Sequence, residues 1–252
     1  MAKQLSGTVA LVTGASSGIG EATAVALAEE GAFVALVARR KDRLDALAER
    51  IGAGQTLVIE ADVTDPVQAQ QAIATTVAAQ GRLDTLVNNA GVMLLGPIVG
   101  APIEEWQRMV HLNLLGLLYC THAALPHLLE AAEQEPRSVA DVVNVSSVAG
   151  RVARLNSGVY NATKWGVGAF SESLRQEVTA RHVRVTIIEP GATATELASH
   201  NRPEVLQEIG RTFGGIQRMT AEDIARSIHY AVTQPSHVSV NEILIRPTEQ
   251  ER

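Results

Sequence analysis

Apolar residues in this chain gather in short runs, separated by longer stretches in which apolar and polar positions recur at helical spacing. The runs are TVALV (8–12), FVALVA (33–38), TLVIEA (56–61), LDTLVN (83–88), VADVVNVS (139–146), VRVTIIE (183–189) and EILIRP (242–247). Their length and their content of Val, Leu and Ile predict strands. Most are apolar throughout, with no alternation, so both faces are covered, as in a parallel sheet flanked by helices. The intervening pattern predicts helices near 18–30, 41–51, 66–80, 103–130, 157–181 and 221–233. Regular alternation of the two kinds points to one doubly wound α/β domain over 1–252, with a seven-stranded parallel sheet and helices on both faces. No linker, repeat or low-complexity tract divides it.

Two segments read differently. The 103–130 stretch is long, contains Pro126, and carries LNLLGLLYC (112–120) on more than one face, which predicts burial against a second copy as well as the core. Residues 195–219 lack a clear period and contain Gly210, Gly214 and Gly215, which suggests a mobile flap over a substrate site.

Composition narrows the function. With 252 residues, 46 % of them hydrophobic and 19 % charged, the chain can bury a sizeable core. A net charge of −6, with no basic run longer than Arg39-Arg40-Lys41, argues against a nucleic-acid partner. The one cysteine, Cys120, forms no internal disulfide and suits a reducing compartment. The N-terminal stretch lacks a signal-like core, and no stretch reaches the ~18 consecutive apolar residues of a membrane span, so a cytoplasmic protein without a membrane partner is expected. The sequons at Asn144 and Asn161 are then chance matches. None of the seven histidines shows zinc-motif spacing, so no metal is expected.

The candidate chemistry begins at TGASSGIG (13–20), where Gly14, Gly18 and Gly20 lead from the first strand into a helix. Glycines permit a tight turn and close backbone approach, and a helix N-terminus favours a phosphate. The same residues match G-x-S-x-G, so a hydrolase with Ser16 as nucleophile is a rival of another reaction class, although the turn follows the very first strand. The end of the second strand, VARR, bears on what the turn would hold. An NAD site usually carries an acidic residue there; here Ala38 takes that place, followed by Arg39 and Arg40, whose guanidinium groups suit the 2′-phosphate of NADP (NADPH) better than NAD. Further on, GVYNATKWG (158–166) sets Tyr160 one helical turn before Lys164, on the same face.

Together these motifs resemble the short-chain dehydrogenase/reductase family, of the small single-domain Rossmann type. The likeness covers nearly the whole chain: TGASSGIG, ADV (61–63), NNAG (88–91), the asparagine in HLNLLG (111–116), NVSSVAG (144–150), YNATK (160–164) and EPGATATEL (189–197). A narrower likeness, in MLLGP, NLLGL, AALPHLL, AFSESLRQEVT and ILIRPTEQ, is to the NADP-dependent branch that contains clavulanic acid (clavaldehyde) dehydrogenase and bacterial 3-hydroxy-acid and carbonyl reductases.

What the resemblance implies is an oxidoreductase that moves hydride between nicotinamide and a small carbonyl or alcohol. Tyr160 would be the acid in reduction and the base in oxidation, with the Lys164 ammonium favouring the phenolate and bonding the nicotinamide ribose. Ser147 would orient the carbonyl, its neighbour Ser146 facing elsewhere, and Asn113 would hold a water linking Lys164 to solvent. Gly14, Ser16, Ser17, Gly18, Ile19, Gly20, Ala38, Arg39 and Arg40 would bind the adenosine and phosphates. Asp62 and Val63 would border the adenine, Asn89, Ala90 and Gly91 the ribose, and Pro190, Gly191, Thr193 and Thr195 the nicotinamide amide. Met93, Leu94, Ala149, Arg151, Arg154, Asn156 and the 195–219 flap would line the substrate pocket, the arginines being candidates for an anionic substrate. A homodimer or homotetramer through the 103–130 and 157–181 helices is expected, and a cofactor-sensing protein with little turnover is the remaining alternative.

Overall fold

Seven strands form where the apolar runs lie: β1 (Val9–Thr13), β2 (Phe33–Ala38), β3 (Thr56–Glu60), β4 (Thr85–Asn88), β5 (Ala140–Val145), β6 (Val183–Pro190) and β7 (Glu242–Ile245). They are seen in a computed structural model that describes residues 3–251, the side chains of Thr212 and Phe213 excepted. The strands make one parallel sheet in the order β3-β2-β1-β4-β5-β6-β7. Alternation within β1 shows why the sheet is covered twice. Val9 and Leu11 point to one face, against Ile73 and Leu128, while Ala10 and Val12 point to the other, against Leu27 and Ile224. Each fully buried Leu or Ile contributes about 1.5–3 kcal/mol.

The helices are α1 (Gly18–Glu29), α2 (Lys41–Ile51), α3 (Pro66–Gln80), α4 (Ile103–Val110), α5 (Leu117–Ala132), α6 (Gly158–Val178), α7 (Pro203–Phe213) and α8 (Ala221–Val232). Local chemistry sets several ends. Asp65 caps α3 by accepting from the Val67 and Gln68 N–H groups, Pro66 sits in the first turn, and Gly81 (φ 74°) stops the helix in the left-handed region. Thr220 and Asp223 form a reciprocal capping box on α8.

Two expectations are corrected. The helix expected over 103–130 is two helices joined by a π-helical turn at His111–Gly116, and it runs on to Ala132. The helical run Ile103–Ala132 is long and apolar enough to cross a bilayer by length and composition. Its Cys120, Ala124 and Leu128 are instead packed into the core beside the sheet. The 195–219 segment is not aperiodic: a 3₁₀ turn (Glu196–His200) and α7 occupy most of it, with Pro203 opening α7 and Val205 buried beneath it.

Beneath the N-terminal ends of the strands lies a buried ionic cluster. Asp141 accepts from Arg184 Nε (2.7 Å) and Nη2 (3.0 Å) and from Arg137 Nη1 (2.9 Å). Arg184 also donates to the carbonyls of Val232 (3.0 Å), Gln234 (3.1 Å) and Val238 (2.8 Å), tying β5 and β6 to the chain between α8 and β7.

Candidate active site

Strand order reverses between β1 and β4, and at such a switch point the loops after the strands diverge and leave a crevice at the carboxyl ends. A cleft of about 460 Å³ lies there. Its floor begins with the glycine turn. Gly14 (φ 67°) and Gly18 (φ 57°) adopt left-handed backbone, and a Cβ on Gly14 would fall 2.9 Å from the Ala90 Cα. A Cβ on Gly20 would collide with Asn89 Nδ2 and the Gly14 carbonyl, so this glycine serves the packing behind the turn and does not line the cleft. Asn89 spends its amide on the turn, donating to the carbonyls of Thr13 (3.0 Å) and Gly14 (3.3 Å). Ser17 precedes α1 with no side-chain cap, which leaves the first-turn N–H groups for an anion.

At one end of the cleft stand the arginines after β2. Arg39 pairs with Asp62 at 3.7 Å. Arg40 lies over the glycine turn, giving Nε (3.1 Å) and Nη2 (3.0 Å) to Ser16 Oγ, Nη2 to Ser17 Oγ (2.8 Å) and Nη1 to Glu196 (2.9 Å) on the opposite lip. Arg43 reaches the other Glu196 oxygen at 2.7 Å. Hydrogen bonds from Arg43 and then Arg40 hold the Glu196 carboxyl down at about 2. Ser16 therefore faces a guanidinium, which cannot accept its proton, and this disfavours the nucleophile reading. Ala38, Asp62, Val63, Ala90 and Gly91 complete this wall. A glycine cradle at a helix N-terminus beside two guanidinium groups fits a phosphate-bearing dinucleotide.

The other end is built on β5 and α6. Tyr160 and Lys164 share a face of α6, with Lys164 Nζ 5.9 Å from the phenol ring centroid, and both are buried. Lys164 Nζ donates to the Val145 carbonyl (2.9 Å). Ser147, just past β5, lines the cleft with Tyr160 and favours its phenolate; its Oγ accepts from Ala149 N–H (3.1 Å) and reaches the Pro190 carbonyl (3.5 Å). Ser146 turns to the helix instead, donating to the Lys164 carbonyl (3.2 Å). A polar chain fixes the register: Asn88 Nδ2 donates to Asn144 Oδ1 (2.9 Å), and Asn144 Nδ2 to Ser171 Oγ on α6 (2.8 Å).

The electrostatics differ from the expectation. Burial pushes the Tyr160 phenol up to about 12, outweighing the lowering by Ser147, and burial brings Lys164 down to about 8. Desolvation of two buried groups, and not the attraction between them, sets both directions.

Asn113 stands behind the cleft wall, near Gly91 as Lys164 is. Its amide exchanges two hydrogen bonds with the Val92 backbone (2.8 Å each) and donates to Thr163 Oγ1 (3.2 Å), so both amide hydrogens are used, and the residue lies outside the cleft lining. It holds the chain after β4 against α6.

On the substrate side, Met93, Ala149, Arg154 and Asn156 line the cleft, the last at φ 63° and donating to Glu208 on α7 (3.1 Å). Arg151 does not: it is bound to Glu189 (2.7 and 2.9 Å) and to Glu242, away from the lining. Leu94 packs in the cluster with Met109 and Tyr160. Pro190, Gly191, Thr193 and Thr195 line the cleft where the chain leaves β6.

Sequence reasoning missed Gln250 and Asn161, and it placed Glu196 and Asn201 only within the 195–219 flap, without roles of their own. Asn161 bonds the carbonyls of Ala149 (2.7 Å) and Val152 (2.9 Å), while Asn201 clamps Met93 and Leu95. Partners 9 to 108 residues distant leave no local signal. Among the described residues no cluster of three or more metal-ligating side chains occurs.

A family model described as short chain dehydrogenase matches residues 8–206. The chain is 42 % identical over 249 residues to a glycine betaine reductase of Emericella nidulans, covering 98 % of this chain and 19 % of that protein, so it spans about a fifth of that relative. It is 38 % identical over 245 residues to an uncharacterized oxidoreductase of Staphylococcus saprophyticus, covering 96 % of each. The closed form of a serine dehydrogenase complexed with NADP+ matches at a TM-score of 0.89 and 31 % identity, over 97 % of both chains.

Proposed function

Because this chain belongs to the short-chain dehydrogenase family, we propose that it is an NADP(H)-dependent oxidoreductase interconverting a small aldehyde, ketone or oxo-acid and its alcohol. The observation that carries this reading is the buried Tyr160 phenol at the inner end of the cleft, one helical turn from Lys164 and lining it together with Ser147. When bound, the nicotinamide cofactor supplies or accepts the hydride. The rest falls to the chain. Gly14, Ser16, Ser17, Gly18 and Ile19 hold the phosphates, Arg39 and Arg40 the 2′-phosphate, and Asp62, Val63, Ala90 and Gly91 the adenosine side. Gly191, Thr193 and Thr195 hold the carboxamide. With its pKa raised, Tyr160 is protonated at neutral pH and donates to the carbonyl oxygen as charge develops there, while Ser147 orients that oxygen. Lys164, when charged, steadies the phenolate left behind.

The test is loss of absorbance at the reduced-nicotinamide band, with NADPH and NADH in parallel, across aldehydes, ketones and oxo-acids. Serine and glycine betaine, named by the relatives, each carry a carboxyl and an amine or ammonium group, so amino-substituted members belong in the panel. Turnover preferring NADPH is expected. Tight NADPH binding without turnover on any member would leave a cofactor-sensing protein.

Two further results follow. Arg40→Ala is expected to weaken NADPH binding about 10- to 100-fold by removing charge-assisted hydrogen bonds of about 1.5–3 kcal/mol, and to leave NADH within about twofold. Equal loss for both cofactors in fluorescence titration would remove the 2′-phosphate assignment. For pH, reduction needs Tyr160 protonated and Lys164 charged; with the phenol at about 12 and the ammonium at about 8, Lys164 is lost first. A profile of kcat/KM for reduction should therefore be flat below pH about 8 and fall above it. A profile rising through that range would contradict the assignment.

The reading includes association of copies through the 103–130 and 157–181 helices, supported by exposed Ile103, Val110 and Trp165 on those elements. A monomeric mass by light scattering would exclude it.

A further inference from the structure

We propose that the tail that follows β7, residues 246–251, is a wall of the active site and that Gln250 is a positioning residue for its reactive end, an inference that rests on the oxidoreductase reading above. Past β7 the chain reverses, with the Gln250 N–H donating to the Pro247 carbonyl (3.0 Å), and this brings the Gln250 side chain into the lining of the cleft. Its Oε1 accepts from the Ala192 N–H at 2.8 Å. The fit is close. A Cβ on Gly191 would collide with that oxygen and would lie 3.2 Å from Arg246 Cγ, so the tail rests directly on the backbone where it leaves β6.

The neighbouring tail residue holds the second lip. The Glu249 carboxylate accepts from the Gln217 N–H (3.3 Å). Two residues on, Met219 pairs with the loop after β6: its N–H donates to the Ala192 carbonyl (3.1 Å) and its carbonyl accepts from Ala194 N–H (2.8 Å). Consecutive side chains of the tail thus fasten both partners of the Thr193–Met219 bridge. The first of those partners carries Gly191, Thr193 and Thr195, assigned above to the carboxamide, and it begins at Pro190, whose carbonyl Ser147 Oγ reaches. Gln250 acts on the reacting atoms through that loop. Without its acceptor, the Gly191–Ala192 peptide loses a fixed partner and the loop can shift, and a misplacement of about 1 Å costs on the order of 10²-fold in rate.

The experiment compares wild type, Gln250→Ala, Gln250→Glu (which keeps the Oε1 acceptor) and a chain ending at Glu249. Affinities for NADP+ and for 2′,5′-ADP, which lacks the nicotinamide half, are measured by calorimetry, and exchange of the Ala192 amide is followed without cofactor. In Gln250→Ala and the shortened chain we expect NADP+ affinity about 5- to 10-fold lower, 2′,5′-ADP affinity unchanged, and faster Ala192 exchange. Reduction of the best panel substrate should fall about 10- to 100-fold in kcat, scaled from the misplacement figure above. Gln250→Glu should stay within about threefold of wild type in each. Unchanged NADP+ affinity and Ala192 exchange in Gln250→Ala would overturn the proposal, as would equal loss of 2′,5′-ADP binding, which marks general unfolding. Wild type that binds NADP+ but turns over nothing would count against the oxidoreductase reading alone, since affinity and exchange still decide the role of the tail.

Discussion

Replacing Tyr160 with Phe is expected to lower kcat/KM for carbonyl reduction by about 10²- to 10⁴-fold, with NADPH affinity within about threefold of wild type. That range corresponds to about 3–5 kcal/mol of lost transition-state stabilisation. The substitution isolates the hydroxyl. The Tyr160 ring packs with Val92, Leu94 and Met109, and Phe keeps those contacts, so the fold and the glycine turn are left as they are. What goes is the buried phenolic proton at the inner end of the cleft. Lys164, held at the Val145 carbonyl, is not placed to replace it. Steady-state kinetics with titration of NADPH would check this, and turnover within tenfold of wild type would mean that another group supplies the proton.

The second large effect lies far from the cleft. Asp141→Ala should destabilise the protein by about 3–5 kcal/mol, because it leaves the buried Arg184 and Arg137 without their carboxylate. Arg184 keeps its bonds to the carbonyls of Val232, Gln234 and Val238, which satisfy hydrogens but do not cancel the charge. Such a loss is a large part of the about 5–15 kcal/mol typical of whole-domain stability. Urea unfolding should show a lower midpoint at an unchanged slope. Adding Arg184→Met to Asp141→Ala should recover part of the loss, since one of the two uncompensated charges is then gone and only Arg137 is left. A loss under about 1 kcal/mol in the single variant would mean that water or chain relaxation solvates Arg184.

The sequence made some of this legible and hid the rest for identifiable reasons. Runs such as FVALVA could be read as strands because Val34, Ala35, Leu36 and Val37 are all buried, two on each face, and the run is short and rich in Val, as strands covered on both faces are. The TGASSGIG turn and the Tyr160–Lys164 pair could be read because their spacing is local. The break at 111–116 could not, since a π turn shifts the hydrogen-bond pattern without changing composition. Helix α7 was obscured by Gly210, which a short amphipathic helix can carry at a cost of about 1 kcal/mol. Charged residues were the least legible. Arg151 and Arg40 look alike in sequence, yet one is consumed by Glu189 and Glu242 and the other spans the cleft to Glu196, because each partner is brought in by a different crossover. The likeness in MLLGP and NLLGL fell partly on packing, Leu94 and Gly116 being buried there, and packing does not choose a substrate.

The strand order also bears on how the molecule is made. β1 pairs with β2 at once, but its other edge waits for β4, and Val9 meets Asp84 across 75 residues of chain. Each later strand, β4 through β6, closes the open edge left by the one before it and exposes its own. On the ribosome the side of the sheet that grows from β1 thus carries a bare, buried-type strand edge until the next strand emerges, the kind of surface that chaperones cover and that aggregates when they do not. The cleft runs from Gly14 to Gln250, so it is complete only after β7 has paired with β6. A nucleotide can then stabilise the finished protein by mass action, but it has nothing to grip in the unfinished one.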